Sequence, residues 1–423
     1  MIQAQAPRGL SWDHKTGRGT ALMAIIALVA SLFIAAAGPA TATASGTVDL
    51  IVRETNPASN AAEILVERLG GAVGDQLSII GGFNATVPLS LVDTLTSDPS
   101  VSAATPNAAL QLAAAGWEDA SHLTNYDPRD YEGSLMRVGQ RIGVEAYWTA
   151  GYTGEGVDIA FIDSGVVPGD GLTYQGKVVN GPDLSFESQN PDLRYLDTFG
   201  HGTHLAGIAV GRDDASTLSL TDPDEFNGVA PGARIVSIKV ADHSGATDVS
   251  QVIAAIDWVV QHKNSGDLNI RVLNLAFGTD STQSYLLDPL AFAVEQAWNA
   301  GIVVVVAAGN DGNDAPLRNP AMDPYVIAVG ATSGQKTKGK VSPVADFSNC
   351  GTADRHVDLV APGKSIVSLR NPGSSADLDH AEAVVADRFF LGSGTSQASA
   401  VASGAVALVL EQRPEIGPDA VKA

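Results

Sequence analysis

The feature that most restricts the fold of this chain is an alternation of apolar, β-rich runs with helical patterns beyond about residue 138. Near-continuous apolar strands separated by helices are typical of a parallel sheet that is covered on both faces. We therefore predict an α/β domain of three layers, with functional side chains at the carboxyl ends of the strands. The predicted strands are residues 157–162, 235–240, 272–276, 302–308 and 326–329, and the predicted helices are residues 203–210, 249–261 and 289–299.

The beginning of the chain has the three-part pattern of a secretory signal peptide. Arg8, Lys15 and Arg18 precede an uncharged run over residues 21–37, and small residues with A-x-A spacing follow at 40–44. The apolar run is near the lower limit of about 17 residues for a membrane span, so an uncleaved anchor is the alternative. We expect residues 1–44 to be a signal peptide and the protein to be secreted.

A different pattern, of order β-α-β-β-α-β, covers residues 47–112. Its predicted strands and helices are residues 48–52, 61–69, 76–81, 83–87 and 89–95, followed by one extended piece over residues 101–112. A unit of this size buries little apolar surface and is expected to need a partner surface. The sequence thus predicts a small α+β domain of ferredoxin-like order at 45–112, a linker or processing region at 113–137 and the main domain at 138–423.

Composition excludes several classes of function. The chain has 25 Lys+Arg against 47 Asp+Glu, a formal net charge of −22, so it lacks the basic face that a nucleic-acid-binding protein needs. A single cysteine, Cys350, excludes an intrachain disulfide and a cysteine-based zinc site. The loop at residues 212–227 is rich in Asp and Glu but does not have EF-hand spacing, which leaves structural calcium open.

Two of the four sequence motifs contain a titratable candidate. Asp163 stands in an Asp-Ser-Gly triplet at the end of the first strand, and no second triplet of this kind supplies the partner that an aspartic protease dyad requires. His201 lies between two glycines at the start of a helix, where another element can approach closely. His201 and His204 also have the spacing of a metal pair, but no intervening Glu and no third ligand accompany them.

The other two motifs contain an amide and a hydroxyl. Asn310 follows a buried strand in a Gly-Asn-Asp-Gly turn, where it is either a turn residue or a side-chain donor. Ser396 precedes a helix that is small and apolar on every side, at residues 400–410. Such a helix is buried, and the free N–H groups at its start can stabilise an oxyanion, although Ser396 could also be an ordinary helix cap.

Taken in order, Asp163, His201, Asn310 and Ser396 resemble the subtilisin-like serine proteases. The segments Gly-Val-Ala-Pro-Gly-Ala at 228–233 and Leu-Val-Ala-Pro-Gly at 359–363 add to the resemblance, which covers about residues 148–410. It implies that Asp163 orients the imidazole, that His201 is the general base and acid, that Ser396 is the nucleophile and that Asn310 supplies an oxyanion donor. No cofactor is then required for catalysis.

The resemblance also has implications for binding. Residues 47–112 look like the inhibitory propeptide of the family, which the enzyme itself removes, and the chain is expected to act as a monomer on proteins or peptides. The substrate is expected to lie as a strand between two enzyme segments, in an open, apolar pocket that prefers large apolar side chains. The substrate-binding residues implied are Ser244, Gly245, Ala276, Phe277, Gly278, Ala308 and Gly309.

The sequence departs from the family pattern in three places. Gln397 stands where the family usually has Met, and Ser399-Ala400-Val401 replaces Ala-Pro-His. The chain stops at Ala423, where the family has further elements, so we expect the main domain to be incomplete at its C-terminus. Val406, Val409 and Leu410 are then expected to be partly exposed.

Two other function classes use the same residues. A secreted esterase would apply the same triad to another acyl group, and an inactive binding protein would retain only the fold. The complete set of candidate residues argues against the second class, while the first stays open at this point.

Overall fold

The computed structural model describes residues 46–112, 116–213, 219–279, 281, 283–334 and 342–423. The predicted signal peptide at residues 1–44 lies outside these ranges. Within them, no helix has both the length and the apolar character needed to cross a membrane.

The N-terminal module is a four-stranded antiparallel sheet with two helices. Its elements are β1 (Thr47–Glu54), α1 (Ala61–Arg68), β2 (Ala72–Leu77), β3 (Gly82–Pro88), α2 (Val92–Thr96) and β4 (Val101–Pro106). The strand order β2-β3-β1-β4 places β3 between β1 and β2, as the predicted split βαβ order requires. Leu50, Val52, Val66 and Phe83 belong to the core of this module.

The sequence prediction is wrong at two places in the module. The second strand is earlier than the predicted residues 76–81, because residues 78–80 form a 3₁₀ turn that directs Leu77 and Ile80 into the main core. The predicted single piece at 101–112 is two strands in different sheets, namely β4 and a separate strand β5 (Ala109–Gln111). The predicted linker contains a further strand, β6 (Gly116–Trp117).

The main domain is built on a seven-stranded parallel sheet, in which the strands lie side by side in the order β14 (Leu359–Pro362), β13 (Ile327–Thr332), β12 (Val303–Ala307), β11 (Ile270–Leu275), β7 (Asp158–Asp163), β9 (Arg234–Lys239) and β8 (Val178–Asp183). All five predicted strands are present in it, which confirms the predicted α/β class. The elements of this domain are α3 (Leu135–Ile142), α4 (Val144–Thr149), β7 (Asp158–Asp163), β8 (Val178–Asp183), α5 (His201–Val210), β9 (Arg234–Lys239), β10 (Ala246–Asp248), α6 (Val249–His262), β11 (Ile270–Leu275), α7 (Pro289–Asn299), β12 (Val303–Ala307), β13 (Ile327–Thr332), β14 (Leu359–Pro362), β15 (Ile366–Leu369), α8 (Ser375–Asp379), β16 (Val384–Val385), β17 (Phe389–Ser393), α9 (Thr395–Gln412) and α10 (Pro418–Lys422).

The helices cover the sheet in two pairs. Helices α5 and α9 pack on each other and on the central strands, and α6 and α7 form a second packed pair. The strands between them are almost wholly buried, as expected for a parallel sheet with helices on both faces.

The end of the chain differs from the expectation of an exposed helix face. Val406 and Leu410 are only 7% and 1% exposed, so the expectation is wrong for these two side chains, whereas Val409 is half-buried. Residues 414–422 are held against the core by side-chain hydrogen bonds. Trp298 Nε1 donates to Asp419 Oδ1 at 2.7 Å, and Arg271 donates to the carbonyls of Pro414 and Ile416.

The buried residue Lys177 directly precedes β8, and the pH dependence of its effect on stability tests the packing there. Its side chain is buried, and its ammonium group donates to the carbonyls of Pro231 and Ala233 at 2.5 and 2.8 Å. Burial lowers the pKa of Lys177 to about 7, and Arg212 adds to this effect. The folded state therefore binds fewer protons than the unfolded state between about pH 7 and the ordinary lysine pKa, so the contribution of this group to stability rises with pH there.

We predict that the free energy of unfolding of the parent protein, measured relative to that of Lys177→Met, increases with pH above pH 7. The increase is expected to be up to about 1.4 kcal/mol per pH unit. The measurement is denaturant unfolding at several pH values. Lys263→Met, at a half-buried lysine that donates to the carbonyl of Ala300, is the control for the removal of a lysine side chain. A constant difference between the parent and Lys177→Met would contradict the account.

Candidate active site

Asp163 and His201 form a buried hydrogen-bonded pair. Asp163 is the last residue of the central strand β7, and His201 is the first residue of α5. The His201 Nδ1 atom lies 2.9 Å from Oδ1 and 3.0 Å from Oδ2 of Asp163, and the two side chains are 0% and 1% exposed. The carboxylate therefore fixes the ring orientation and requires the proton on Nδ1, which leaves Nε2 as the basic atom.

A second buried carboxylate, Asp197, stabilises the start of α5. It accepts hydrogen bonds from the N–H groups of Gly200 and Thr203 at 2.7 and 2.8 Å and from the Ser164 hydroxyl at 2.7 Å. Burial raises the pKa of Asp197 despite these bonds. Asp197 was not predicted from the sequence, because it lies three positions before the N-cap residue Gly200, outside the usual capping position.

The electrostatics of His201 combine opposing effects. Burial acts to lower its pKa, but the charge and hydrogen bond of Asp163, with a contribution from Asp197, outweigh burial, and the pKa is raised from its ordinary value. The neutral form of the ring, which can accept a proton, therefore becomes populated at a higher pH than in an ordinary histidine.

Ser396 is the second residue of α9 and is 1% exposed. Its hydroxyl donates to the backbone carbonyl of Ala276 at 3.1 Å. The Nε2 atom of His201 is buried and has no hydrogen-bond partner among the described residues. The hydroxyl is therefore turned toward Ala276 in this structure and does not donate to His201.

Asn310 follows the end of β12, and its side-chain amide has a defined orientation. Its Oδ1 atom accepts from the N–H and the hydroxyl of Thr395 at 2.9 and 3.1 Å. The amide NH₂ consequently points away from Thr395. Because Thr395 precedes Ser396 directly, these bonds also connect the turn after β12 with the start of α9.

Ser396 and Asn310 line the same open cavity of about 1000 Å³. Of the predicted substrate-binding residues, Ala276, Phe277, Gly278 and Gly309 also line it. Ala308 is not among the lining residues, because it is fully buried and its N–H donates to Val329 in the next strand at 3.0 Å.

The cavity also contains a charged pair that the sequence analysis did not anticipate. Asp311 and Arg318 both line it, and the guanidinium donates two hydrogen bonds of 2.7 Å to the carboxylate. The pocket is therefore not wholly apolar. An ion pair between residues seven positions apart in a loop gives no periodic signal from which it could be predicted.

The predicted residues Ser244 and Gly245 lie at one edge of the cleft, where the N-terminal segment adds a strand. Strand β5 pairs antiparallel with β10, and the N–H of Leu112 donates to the carbonyl of Gly245 at 2.9 Å. The side-chain amide of Gln111 donates to the carbonyl of Ser244. Backbone pairing of this kind is how an extended peptide binds to an exposed strand.

Metal binding finds no support among the side chains that the structure describes. Within the described ranges, no group of three or more His, Cys, Asp or Glu residues could hold a metal ion. In the acidic loop, Asp213 pairs with Arg388 and Asp224 pairs with Arg129, while residues 214–218 lie outside the described ranges.

His204, the other histidine of the predicted pair, is a buried residue that packs on an aromatic side chain. Its ring lies edge to face with that of Trp117, with the ring centroids 5.1 Å apart, and burial lowers the pKa of His204 to about 3.

The chain is similar to several known proteins. Serine protease AprX of Bacillus subtilis is 34% identical over 278 residues, which are 64% of this chain and 60% of that protein. Subtilisin E of the same organism is 30% identical over 356 residues, or 83% of this chain and 76% of that protein. The crystal structure of fervidolysin from Fervidobacterium pennivorans, a keratinolytic enzyme related to subtilisin, is 23% identical with a TM-score of 0.66, and the match covers 90% of this chain and 57% of that one.

The similarity to fervidolysin, at 23% identity, concerns the fold alone. The chain spans 60% of the length of AprX and 35% of the minor extracellular protease Epr of Bacillus subtilis, two of the curated relatives that it matches. The profile of the subtilase family matches residues 154–423, which contain Asp163, His201, Asn310 and Ser396. This match covers well over half of the sequence, and the chain belongs to the subtilase family.

Proposed function

We propose that this protein is a secreted serine endopeptidase, made as a zymogen that cuts off its own N-terminal module. The observation that carries the proposal is the hydrogen-bonded pair of Asp163 and His201 in a domain whose cleft is lined by Ser396 and Asn310. Membership of the subtilase family supports the same chemistry.

In the proposed reaction, the Ser396 hydroxyl leaves the carbonyl of Ala276 and donates to Nε2 of His201. His201 takes the proton as Ser396 attacks the peptide carbonyl, and Asp163 stabilises the imidazolium that forms. The protonated ring then delivers the proton to the nitrogen of the scissile bond, which breaks and releases the amine. The acyl-enzyme that remains is hydrolysed by water.

The oxyanion of the tetrahedral intermediate needs donors that are already in place. Thr395 donates two hydrogen bonds to the Oδ1 atom of Asn310, so the orientation of the NH₂ group is fixed before the reaction. The N–H groups at the start of α9 are further donors of this kind. Donors fixed before the reaction stabilise the transition state more than the bound substrate.

The zymogen part of the proposal depends on the path of the chain along the cleft. Residues 104–106 and 108–111 line the cavity, and Leu112 bonds to Gly245. Four residues later, Gly116 pairs with Ser393, three positions before Ser396. We propose that one of the four peptide bonds between Leu112 and Gly116 is the processing site.

Peptides fit the cleft better than short esters do, because the edge of β10 already binds a strand of this chain through its backbone. An esterase that acts on small acyl groups has no use for this edge. Secretion is proposed from the pattern of residues 1–44. A relative that is 31% identical is named an extracellular protease.

We predict that Ser396→Ala lowers kcat for peptide hydrolysis by about 10⁴–10⁶ and keeps the N-terminal module attached, because one nucleophile serves both reactions. Peptide hydrolysis is measured with purified protein, and mass spectrometry finds the new N-terminus of the active parent between residues 112 and 116. Ser403→Ala, at a buried serine farther along α9, is the control and should process itself. Normal processing of purified Ser396→Ala would show that another group cuts the chain.

The oxyanion role of Asn310 predicts a different kinetic result. Asn310→Ala should lower kcat by about 10²–10³ with KM almost unchanged, because the donor acts on the transition state. Initial rates on a peptide substrate give both constants. A large rise in KM at constant kcat would assign Asn310 to substrate binding instead.

The path of the N-terminal segment predicts inhibition in trans. A separate peptide of residues 47–112 should inhibit the processed enzyme at micromolar concentration, and residues 47–106, which lack β5, should inhibit at least about tenfold less. The measurement is the inhibition constant of each segment, with circular dichroism as a check on folding. Equal inhibition by the two segments would show that β5 does not contribute to binding.

A further inference from the structure

The residues just after the proposed processing site pair with a strand that leads directly to Ser396. Strand β6 pairs antiparallel with β17, with Trp117 opposite Gly392 and Gly116 opposite Ser393. Strand β17 is followed at once by Gly394 and by α9. Strands β6 and β16 share one edge of β17, and β6 takes the end of that edge nearest to Ser396.

A slot in the wall of the main domain receives the ring of Trp117. The Trp117 ring lies edge to face with the rings of Phe390 and of the buried His204. The distances between ring centroids are 4.8 Å to Phe390 and 5.1 Å to His204. Gly392 forms one side of the slot, since a Cβ atom at this position would lie 2.8 Å from Cζ3 of Trp117. Phe390 and His204 are both buried with Trp117 in place, and Phe390 belongs to a small apolar cluster against which Trp117 packs.

A polar site for a carboxylate lies directly beside the slot. One carboxylate oxygen of Glu118 accepts from the Ser365 hydroxyl at 2.7 Å, and the other accepts from the Ser393 hydroxyl. Ser393 is only 5% exposed, and its hydroxyl oxygen also accepts from the N–H of Ser365 at 2.7 Å. The N–H of Glu118 donates to the carbonyl of Leu391, which continues the pairing with β17.

A substrate that is cut at Ser396 has residues on both sides of the scissile bond. The residues before the bond follow the edge of β10, as residues 109–112 do in this chain. The residues after the bond, on the leaving-group side, would then lie along the free end of β17, where Gly116, Trp117 and Glu118 lie now. The substrate and this segment therefore compete for one site.

From these contacts we infer that the slot beside Gly392 and the hydroxyls of Ser365 and Ser393 form a leaving-group-side subsite that selects an aromatic residue followed by a carboxylate. This inference rests on the proposed peptidase function and adds a substrate class to it. The buried ring contacts give the aromatic preference, and the two hydroxyl donors give the carboxylate preference.

The test uses the processed enzyme with Trp117→Ala in its own N-terminal segment, so that this segment does not fill the slot, and peptides that span residues 107–121 of this chain. Trp117→Ala in the peptide should lower kcat/KM at least about tenfold, and Glu118→Gln should lower it by about five- to tenfold, as the loss of the ring contacts and of a charge-assisted hydrogen bond implies. Asp119→Asn, at the exposed neighbour, is the matched control and should change kcat/KM by less than about twofold.

Enzyme variants test the same site from the other side. Gly392→Ala closes the slot, so its rates on the unchanged peptide and on the Trp117→Ala peptide should become equal. Ser365→Ala should reduce the discrimination between the unchanged peptide and the Glu118→Gln peptide. A short p-nitroanilide, which has no peptide residues on the leaving-group side, serves to normalise each variant for catalysis.

The outcomes separate the two proposals. Hydrolysis of the p-nitroanilide with equal rates on all spanning peptides would overturn the subsite and leave the peptidase function standing. The absence of hydrolysis of every substrate would overturn the peptidase function and, with it, the subsite.

Discussion

The candidate site depends on the pair of Asp163 and His201, which the fold buries completely. A carboxylate in a buried position is costly unless hydrogen bonds satisfy it. Here the N–H and hydroxyl of Ser164 and the imidazole of His201 all bond to Asp163. The same bonds fix the ring, so the interactions that make burial tolerable also prepare the base. Asp197 stabilises the position of His201 indirectly, because it accepts hydrogen bonds from the N–H groups of Gly200 and Thr203 at the start of α5.

The parallel sheet explains why residues far apart in sequence meet at one place. Asp163 ends β7 and Asn310 follows β12, so both lie at the carboxyl end of the sheet. Helix α9 is buried along almost its whole length and places Ser396 at the same end, where Thr395 bonds to Asn310. The cleft is then bordered by β10 on one side of Ser396 and by β17 on the other, and the chain's own segments pair with both.

Long apolar runs made the sheet and its class predictable from sequence, and resemblance assigned the roles of the four candidate residues. What depends on tertiary contacts was not predictable. The break between β4 and β5 arises because β5 pairs with β10 instead of β1. The burial of Val406 and the pairing of Asp311 with Arg318 depend on neighbours that are distant in sequence or lie in loops. Gly392 alone did not predict the tryptophan slot, because its partner Trp117 lies in the predicted linker, where the sequence has no clear periodicity.

The central claim is that the buried pair activates Ser396 as a nucleophile. The most direct measurement is reaction of the processed enzyme with a serine-directed phosphonylating reagent, followed by peptide mapping with mass spectrometry. The account predicts a single adduct on Ser396, whose formation slows at least about a thousandfold in His201→Ala that the parent enzyme has processed in trans, because the base is lost. An adduct on another serine, or equal labelling of Ser396 with and without His201, would contradict it.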